Sequence, residues 1–414
     1  MRCFNKKNKS MRKLFLFAML LAMSHLSTQA GGYQVRLQSS RSTGMGLTGT
    51  GLQLGASSMF FNPGALSMME TKTDFSIGAS GIISKISFQK TGQNLVSETN
   101  NKLSTPFYVY GAGKIGEKWA VGLAIYTPYG SSAEWESGWE GRLLIQNIAL
   151  QAIFFQPTVS YQLTDKLGIG AGLVYTSGSV KLEKGLNYGP DSYVELDGSA
   201  SSLGFNLGAF YTASEKLSIG VNYRSKIMMD VSGGDAKFHV PVSVGTTIPT
   251  ENKFSASLPL PGNLDFGVSY QATEKLLLAA EVNWVMWGVY ETLEFTFEEK
   301  GELLNSKSPR EYKDTFIPRI GAEYTLNDMF TFRAGAYYDQ SPTNEDYFTP
   351  ETVSLDNLAF TLGVGFHPTE RLSIDLSYLQ ISGLEAKKNY QPDNFGGTYK
   401  NAAFIPSFGL SYRF

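Results

Sequence analysis

The chain has 414 residues, a formal net charge of −2 and a pI near 6.0, a balance that gives no field for a polyanion and argues against nucleic acid as a partner. Charged residues make up 17%, below the roughly 25% of soluble domains, while Gly (43), Tyr (22) and Phe (27) are abundant. Beyond the N-terminus no apolar run reaches the roughly 18 residues of a spanning helix, which excludes a helical membrane protein and leaves a barrel whose lipid-facing and lumen-facing residues alternate.

The first 30 residues read as a secretory signal. Lys6, Lys7, Lys9, Arg12 and Lys13 form the basic region, Leu14 to Met23 the apolar core, and Thr28 and Ala30 the small residues before a cleavage site after Ala30. The core is too short to anchor the chain in a bilayer. Translation from Met11 would still give a complete signal. Cys3, the single cysteine, leaves with it, so the mature chain is expected to hold no disulfide, thiol nucleophile or thiolate metal site.

Residues 31–72 form a Gly-rich, apolar segment. Met45, Leu47, Leu52, Leu54, Met59, Phe60 and Phe61 give it an apolar side, and it closes on Asn62-Pro63-Gly64. Gly44 to Gly49 spells G-x-G-x-x-G, but no βαβ unit surrounds it, so a dinucleotide site is rejected. The glycines read instead as positions where a compact plug lies close to a wall. The apolar side suits an apolar ligand or packing against that wall equally well.

From residue 73 onward, aromatic-ended strands alternate with tight polar turns such as Thr164-Asp165-Lys166, Ser214-Glu215-Lys216, Thr273-Glu274-Lys275 and Thr369-Glu370-Arg371. Within LSIGVNY, Leu217, Ile219, Val221 and Tyr223 share one face and Ser218, Gly220 and Asn222 the other. The turns define seven hairpins, hence a 14-stranded antiparallel transmembrane β-barrel over 73–414. Strand 3 is placed at 118–128 and strand 4 at 141–163. The long connections, 129–140, 184–199, 230–261, 298–311, 341–356 and 383–401, fall at one end. Tyr161, Tyr211, Tyr270, Tyr324, Phe366 and Tyr412 sit near the turns, where an interfacial aromatic girdle belongs.

Alternation turns Arg224, Asp265, Glu281, Arg319, Glu323, Arg333, Asp375 and Arg413 inward. A charge network holding the plug explains them. The sharper reading pairs an arginine, or Lys181 nearer the outside, with a ligand carboxylate. The histidines are His25, His239 and His367. They support neither a metal site nor a Ser-His nucleophile, so no enzyme activity and no cofactor are expected.

Gly31-Gly32-Tyr33-Gln34, Ala56-Ser57 and Phe61-Asn62-Pro63-Gly64, with Trp139-Glu140-Gly141-Arg142, Gln156-Pro157, Pro318-Arg319-Ile320-Gly321 and Phe332-Arg333-Ala334-Gly335 up to the terminal Phe414, resemble the FadL/TodX family of outer-membrane transporters of hydrophobic compounds. The family's usual Asn-Pro-Ala reads Asn-Pro-Gly here. The resemblance implies a barrel plugged by an N-terminal hatch at 31–72, with Asn62, Pro63 and Gly64 at its centre beside Phe60 and Phe61. A hydrophobic ligand, a fatty acid or an aromatic hydrocarbon, would be captured at loops 184–199 and 230–261. Its contacts would be Phe254, Leu258 and Leu260 in the loop, Leu52, Leu54 and Met59 in the hatch, and Arg333 or Lys181 for a carboxylate. It would leave sideways near Gly122, Tyr126 and Pro128. The protein is expected to be a monomer in the outer membrane of a Gram-negative cell, among lipid and lipopolysaccharide, carrying long-chain fatty acids foremost. The alternatives are a surface adhesin or structural barrel whose outer loops bind a partner and, far behind, a barrel hydrolase built on His239.

Overall fold

The computed structural model describes residues 32–245 and 247–414, so the signal sequence and Gly31 lie outside the described residues. Fourteen strands build the wall: β1 (Thr73–Ser80), β2 (Phe107–Ile115), β3 (Trp119–Glu134), β4 (Asn147–Thr164), β5 (Leu167–Gly185), β6 (Tyr193–Ser214), β7 (Leu217–Arg224), β8 (Asn263–Thr273), β9 (Leu276–Val285), β10 (Thr315–Thr325), β11 (Phe330–Asp339), β12 (Asn357–Thr369), β13 (Leu372–Gly383) and β14 (Phe395–Arg413). Each pairs antiparallel with its neighbour in sequence. β1 pairs with both β2 (Phe75 opposite Gly111) and β14 (Phe75 opposite Tyr412), so the sheet closes on itself.

The period-two pattern decides which face meets what. Phe75 and Ile77 of β1 are half exposed on the outside while Asp74, Ser76 and Ser80 are buried on the inside. Leu203, Phe205, Leu207, Phe266, Ile320, Leu362 and Phe408 continue the outer apolar belt. An exposed belt of this extent is stable only against lipid. Tyr211, Tyr270, Tyr324 and Tyr412 lie exposed near the short turns, where a ring with an apolar body and a polar tip suits the membrane interface. No helix of the described residues is long and apolar enough to cross a membrane.

The short turns repeat one solution. The hydroxyls of Thr164, Ser214, Thr273 and Thr369 accept hydrogen bonds from the backbone N–H two residues on, at Lys166, Lys216, Lys275 and Arg371. Each turn coincides with a slip in strand register.

Several boundaries differ from the sequence reading. β3 runs on to Glu134 and β4 starts only at Asn147. Residues 230–261 are not a loop. Ile227–His239 and Glu251–Leu260 pair as a hairpin that extends the wall outward, and β6 reaches out to Tyr193 to join it. The reason is that alternation persists there. Val194, Val231, Phe238, Phe254 and Phe297 bury a separate apolar cluster.

Candidate functional site

Residues 33–69 are almost wholly buried against the inner face of the wall. Their elements are short. Ser39 caps a helix over Ser40–Gly44 through its side chain. Asn62 caps the 3-10 turn Pro63–Met68, with Pro63 at the first position, where its missing N–H costs nothing. Asn62 Nδ2 also donates to the carbonyls of Thr50 and Ala209, each at 2.9 Å, so one side chain ties two parts of the segment to the wall. Backbone meets backbone where the wall has no side chains. Gly46, at φ +69°, lies against the Ile320 carbonyl, and a β-carbon at Gly220 would overlap Thr50.

Charges complete the attachment. Arg36 reaches Asp265 (2.9 Å) and Glu281 (2.5 Å). The second oxygen of Glu281 accepts from the amides of Gly49 and Thr50, both at 2.8 Å. Burial alone would lower the Arg36 guanidinium, but Asp265 and Glu281 outweigh it and raise its pKa. Arg41 pairs with Glu323 (2.8 Å), which also holds Arg333 (2.6 Å), and Arg333 holds Asp375 (2.6 Å). Arg224 donates to the Phe60 carbonyl (2.8 Å) and to Tyr126 Oη (2.7 Å). Among the described residues no group of acidic, His and Cys side chains is arranged to hold a metal ion.

Next to this segment lies a cavity of about 480 Å³, within the range of small-molecule sites. Gln34, Val35, Arg36, Leu37 and Leu47 form its inner side. Ile317, Leu379, Ile381, Ala403 and Ile405 give the wall side an apolar surface, and Arg319, Tyr337 and Asp339 a polar one.

The wall parts beside that cavity. β2 and β3 are paired up to Tyr108–Tyr126. β3 then slips in register against β4 between Tyr126 and Tyr129, with Thr127 and Pro128 in the slip. Proline has no N–H for a ladder, so it belongs at such an edge. The freed edge of β3 is taken from inside. Val35 N–H donates to the Pro128 carbonyl (2.7 Å), Gly130 N–H donates to the Tyr33 carbonyl (2.9 Å), and Gln34 lies opposite Tyr129. Farther out the two sides meet again at Ser104 and Ser132, Oγ to Oγ 3.3 Å. The cavity touches Leu150, which faces inward with Ala152 and Phe154, and also Gln151, Ser179 and Lys181, which share the outer face with Phe155 and Tyr175. Residues of both faces of the wall thus line the cavity beside this window.

Tyr33 fixes the window's inner post. Its hydroxyl donates to the Pro259 carbonyl, its ring packs edge-on to Trp287 at 4.9 Å, and Tyr129 Oη donates to the Pro261 carbonyl (2.9 Å). Burial, with Tyr290 and Tyr312 nearby, pushes the Tyr33 phenol well above its usual range.

The structure redistributes the residues singled out in the sequence. Leu52, Leu54, Met59, Phe60 and Phe61 do not line the cavity. They are buried in the main core, because the apolar side of the segment faces wall rather than lumen. Asn62, Pro63 and Gly64 lie against Gly168, Gly170 and Gly208, away from the cavity. Arg333 is saturated by two carboxylates. Phe254 is buried within the outer hairpin, while Leu258 and Leu260 line a small second pocket that shares Leu150, Gln151 and Ser179 with the main cavity. Lys181 borders the cavity from the outer face and pairs with Asp197 (3.0 Å). Gly122 is paired on both sides and Tyr126 closes the last regular pair, so the parting begins only after them, at Pro128. The cavity also holds Arg319, one of the inward arginines offered as a carboxylate partner, together with Gln34 and Arg36, which the sequence reading missed. A usable signal existed for one: between Gly31 and Met69 the only charges are Arg36 and Arg41.

A family model described as outer membrane protein transport protein (OMPP1/FadL/TodX) matches residues 21–414. The long-chain fatty acid transport protein of Salmonella typhi is 21% identical over 95% of this chain and 98% of its own length. The crystal structure of a Pseudomonas aeruginosa FadL homologue superposes with a TM-score of 0.80 at 19% identity, over 93% of this chain and 100% of that one. The Ralstonia pickettii toluene transporter TbuX superposes at 0.72 and 21% identity, over 90% and 97%.

Proposed function

Since the chain belongs to the OMPP1/FadL/TodX family of outer membrane transport proteins, we propose that it takes up hydrophobic compounds, foremost long-chain fatty acids, without catalysis or an energy source, and releases them sideways through the window between β2 and β3. The observation that carries this reading is a cavity lined by residues of both faces of the wall beside the slip at Pro128, with Tyr129 to Ser132 among them. An apolar chain gains about 0.8 kcal/mol per buried CH₂, so such a cavity can draw a ligand without many hydrogen bonds. A sideways exit delivers it into lipid rather than water. Relatives named for fatty acid and for toluene transport support an apolar cargo.

In this scheme residues 31–72 are the plug, and the outer hairpin is the point of entry. The small pocket at Leu258 and Leu260 shares lining residues with the main cavity, which supports a stepwise path inward. Lipid and lipopolysaccharide surround the apolar belt, and a closed sheet with no free edge supports action as a single chain.

The window is tested by closing it. Gln34 and Tyr129 form the pair flanked by the bonds Val35–Pro128 and Gly130–Tyr33, a position where side chains lie close enough for a disulfide. In Q34C/Y129C, oxidation should stop uptake of labelled oleate by cells, and reductant should restore it. Undiminished uptake by the oxidised protein would show that cargo does not leave by this window.

A further inference from the structure

Arg319 is the cation of this lumen that its neighbours leave least satisfied. It is 4% exposed, and its Nε and Nη1 have no hydrogen-bond partner among the described residues. Its cross-strand partner on β9 is Glu281, the natural acceptor. Both oxygens of Glu281 are already taken, one by Arg36 and the other by the amides of Gly49 and Thr50. Its cross-strand partner on β11 is Tyr337, whose ring lies under the guanidinium at 5.0 Å. A ring face attracts the cation but accepts no proper hydrogen bond. Asp339 lies on the same wall and offsets part of the charge, yet two guanidinium nitrogens still lack an acceptor.

The other inward arginines differ. Arg36, Arg41, Arg224 and Arg333 each bond a carboxylate, a carbonyl or a phenol. Leaving buried guanidinium N–H groups unpaired is costly, and Arg319 lines the cavity itself. Ile317, two residues before it, and Ile381 and Ile405 give the same cavity an apolar surface. One buried cation with free donors beside an apolar surface is complementary to an anionic head on an alkyl chain.

We infer that Arg319 is the head-group selector of the cavity: it binds a carboxylate on a long apolar chain and so favours fatty acids over neutral hydrocarbons and alcohols. The inference rests on the proposed transport function and specifies its ligand.

The test uses the full mature barrel in lipid nanodiscs, with empty discs subtracted, and measures binding of laurate and 1-dodecanol, which share a chain and differ in the head. The wild type should bind laurate about tenfold or more tightly than dodecanol, the scale of a charge-assisted hydrogen bond. R319Q should remove most of that preference by weakening laurate, and R319K, which keeps the cation, should retain part of it. Equal affinity of the wild type for both ligands would overturn the assignment with no variant needed. So would an R319Q protein that retains the full preference. Either result leaves the transport reading intact, since both ligands bind. A wild type that binds neither would remove the transport reading and this assignment together.

Discussion

Among the described residues, Arg36 is the one arginine bonded to both Asp265 and Glu281. Replacing it with alanine would take the bonded cation from buried Asp265 and Glu281 and leave them only neutral donors, Asn222 and Asn283 on one and the Gly49 and Thr50 amides on the other. Such a loss typically costs about 3–5 kcal/mol. R36A should therefore lower the temperature at which the barrel loses its folded band on an unheated gel, and adding D265N and E281Q should recover much of the loss. If R36A alone melts with the wild type, the ion pairs contribute nothing net. The alternation of β8, β9, β10, β11 and β13 was enough to turn these wall charges inward. What alternation could not give is the pairing with Arg36 and Arg41, because each partner lies more than 200 residues away along the chain. Nor could it show that Arg319 would be the one left over. That depends on which donors reach Glu281 first, a matter of three-dimensional competition.

The strands were legible because four of the short turns carry the same Ser or Thr cap and the strands between them alternate with period two. The hairpin Ile227–His239 and Glu251–Leu260 was harder to read. Its prolines and polar tip look like a loop, and only its register with β6 and its own apolar cluster reveal a wall extension. The window was legible only as an expectation of the family resemblance, near Gly122, Tyr126 and Pro128, the last of which suits an edge because it has no N–H for a ladder. The closing of that edge by Tyr33 and Val35 was not, since it is a pairing between two segments that carry no periodic signal. If the hairpin is where cargo enters, a charge in its small pocket should hinder capture without harming release. Leu258 is the position to use, because it lines that pocket and not the main cavity. L258D should raise the oleate concentration giving half-maximal uptake several-fold while the maximal rate stays within about twofold, a split expected when a change affects binding before the slow step. A fall in the maximal rate alone would place the slow step at the hairpin instead.

At the scale of the whole molecule, wall and N-terminal segment solve each other's difficulty. The segment is too short and too apolar to fold alone. The wall, without it, would enclose a wide lumen lined by glycines and by Asp265, Glu281 and Glu323, whose cations come partly from the segment. The closed hydrogen-bonded sheet does not depend on the segment, because every wall strand pairs with two others. Removing residues 32–69 should therefore leave a folded barrel and open it. In planar bilayers the truncated protein should show steady channel conductance where the full chain shows almost none, and cells carrying it should become sensitive to large antibiotics that the outer membrane excludes. Oleate uptake by the truncated barrel should lose its saturation, because the inner side of the cavity, from Gln34 to Leu37, goes with the segment. A truncated barrel that folds but stays closed would mean that the outer hairpins, not the N-terminal segment, seal the lumen. The aromatic cluster of Phe88, Trp135, Trp139 and Tyr399 would then be the next place to cut.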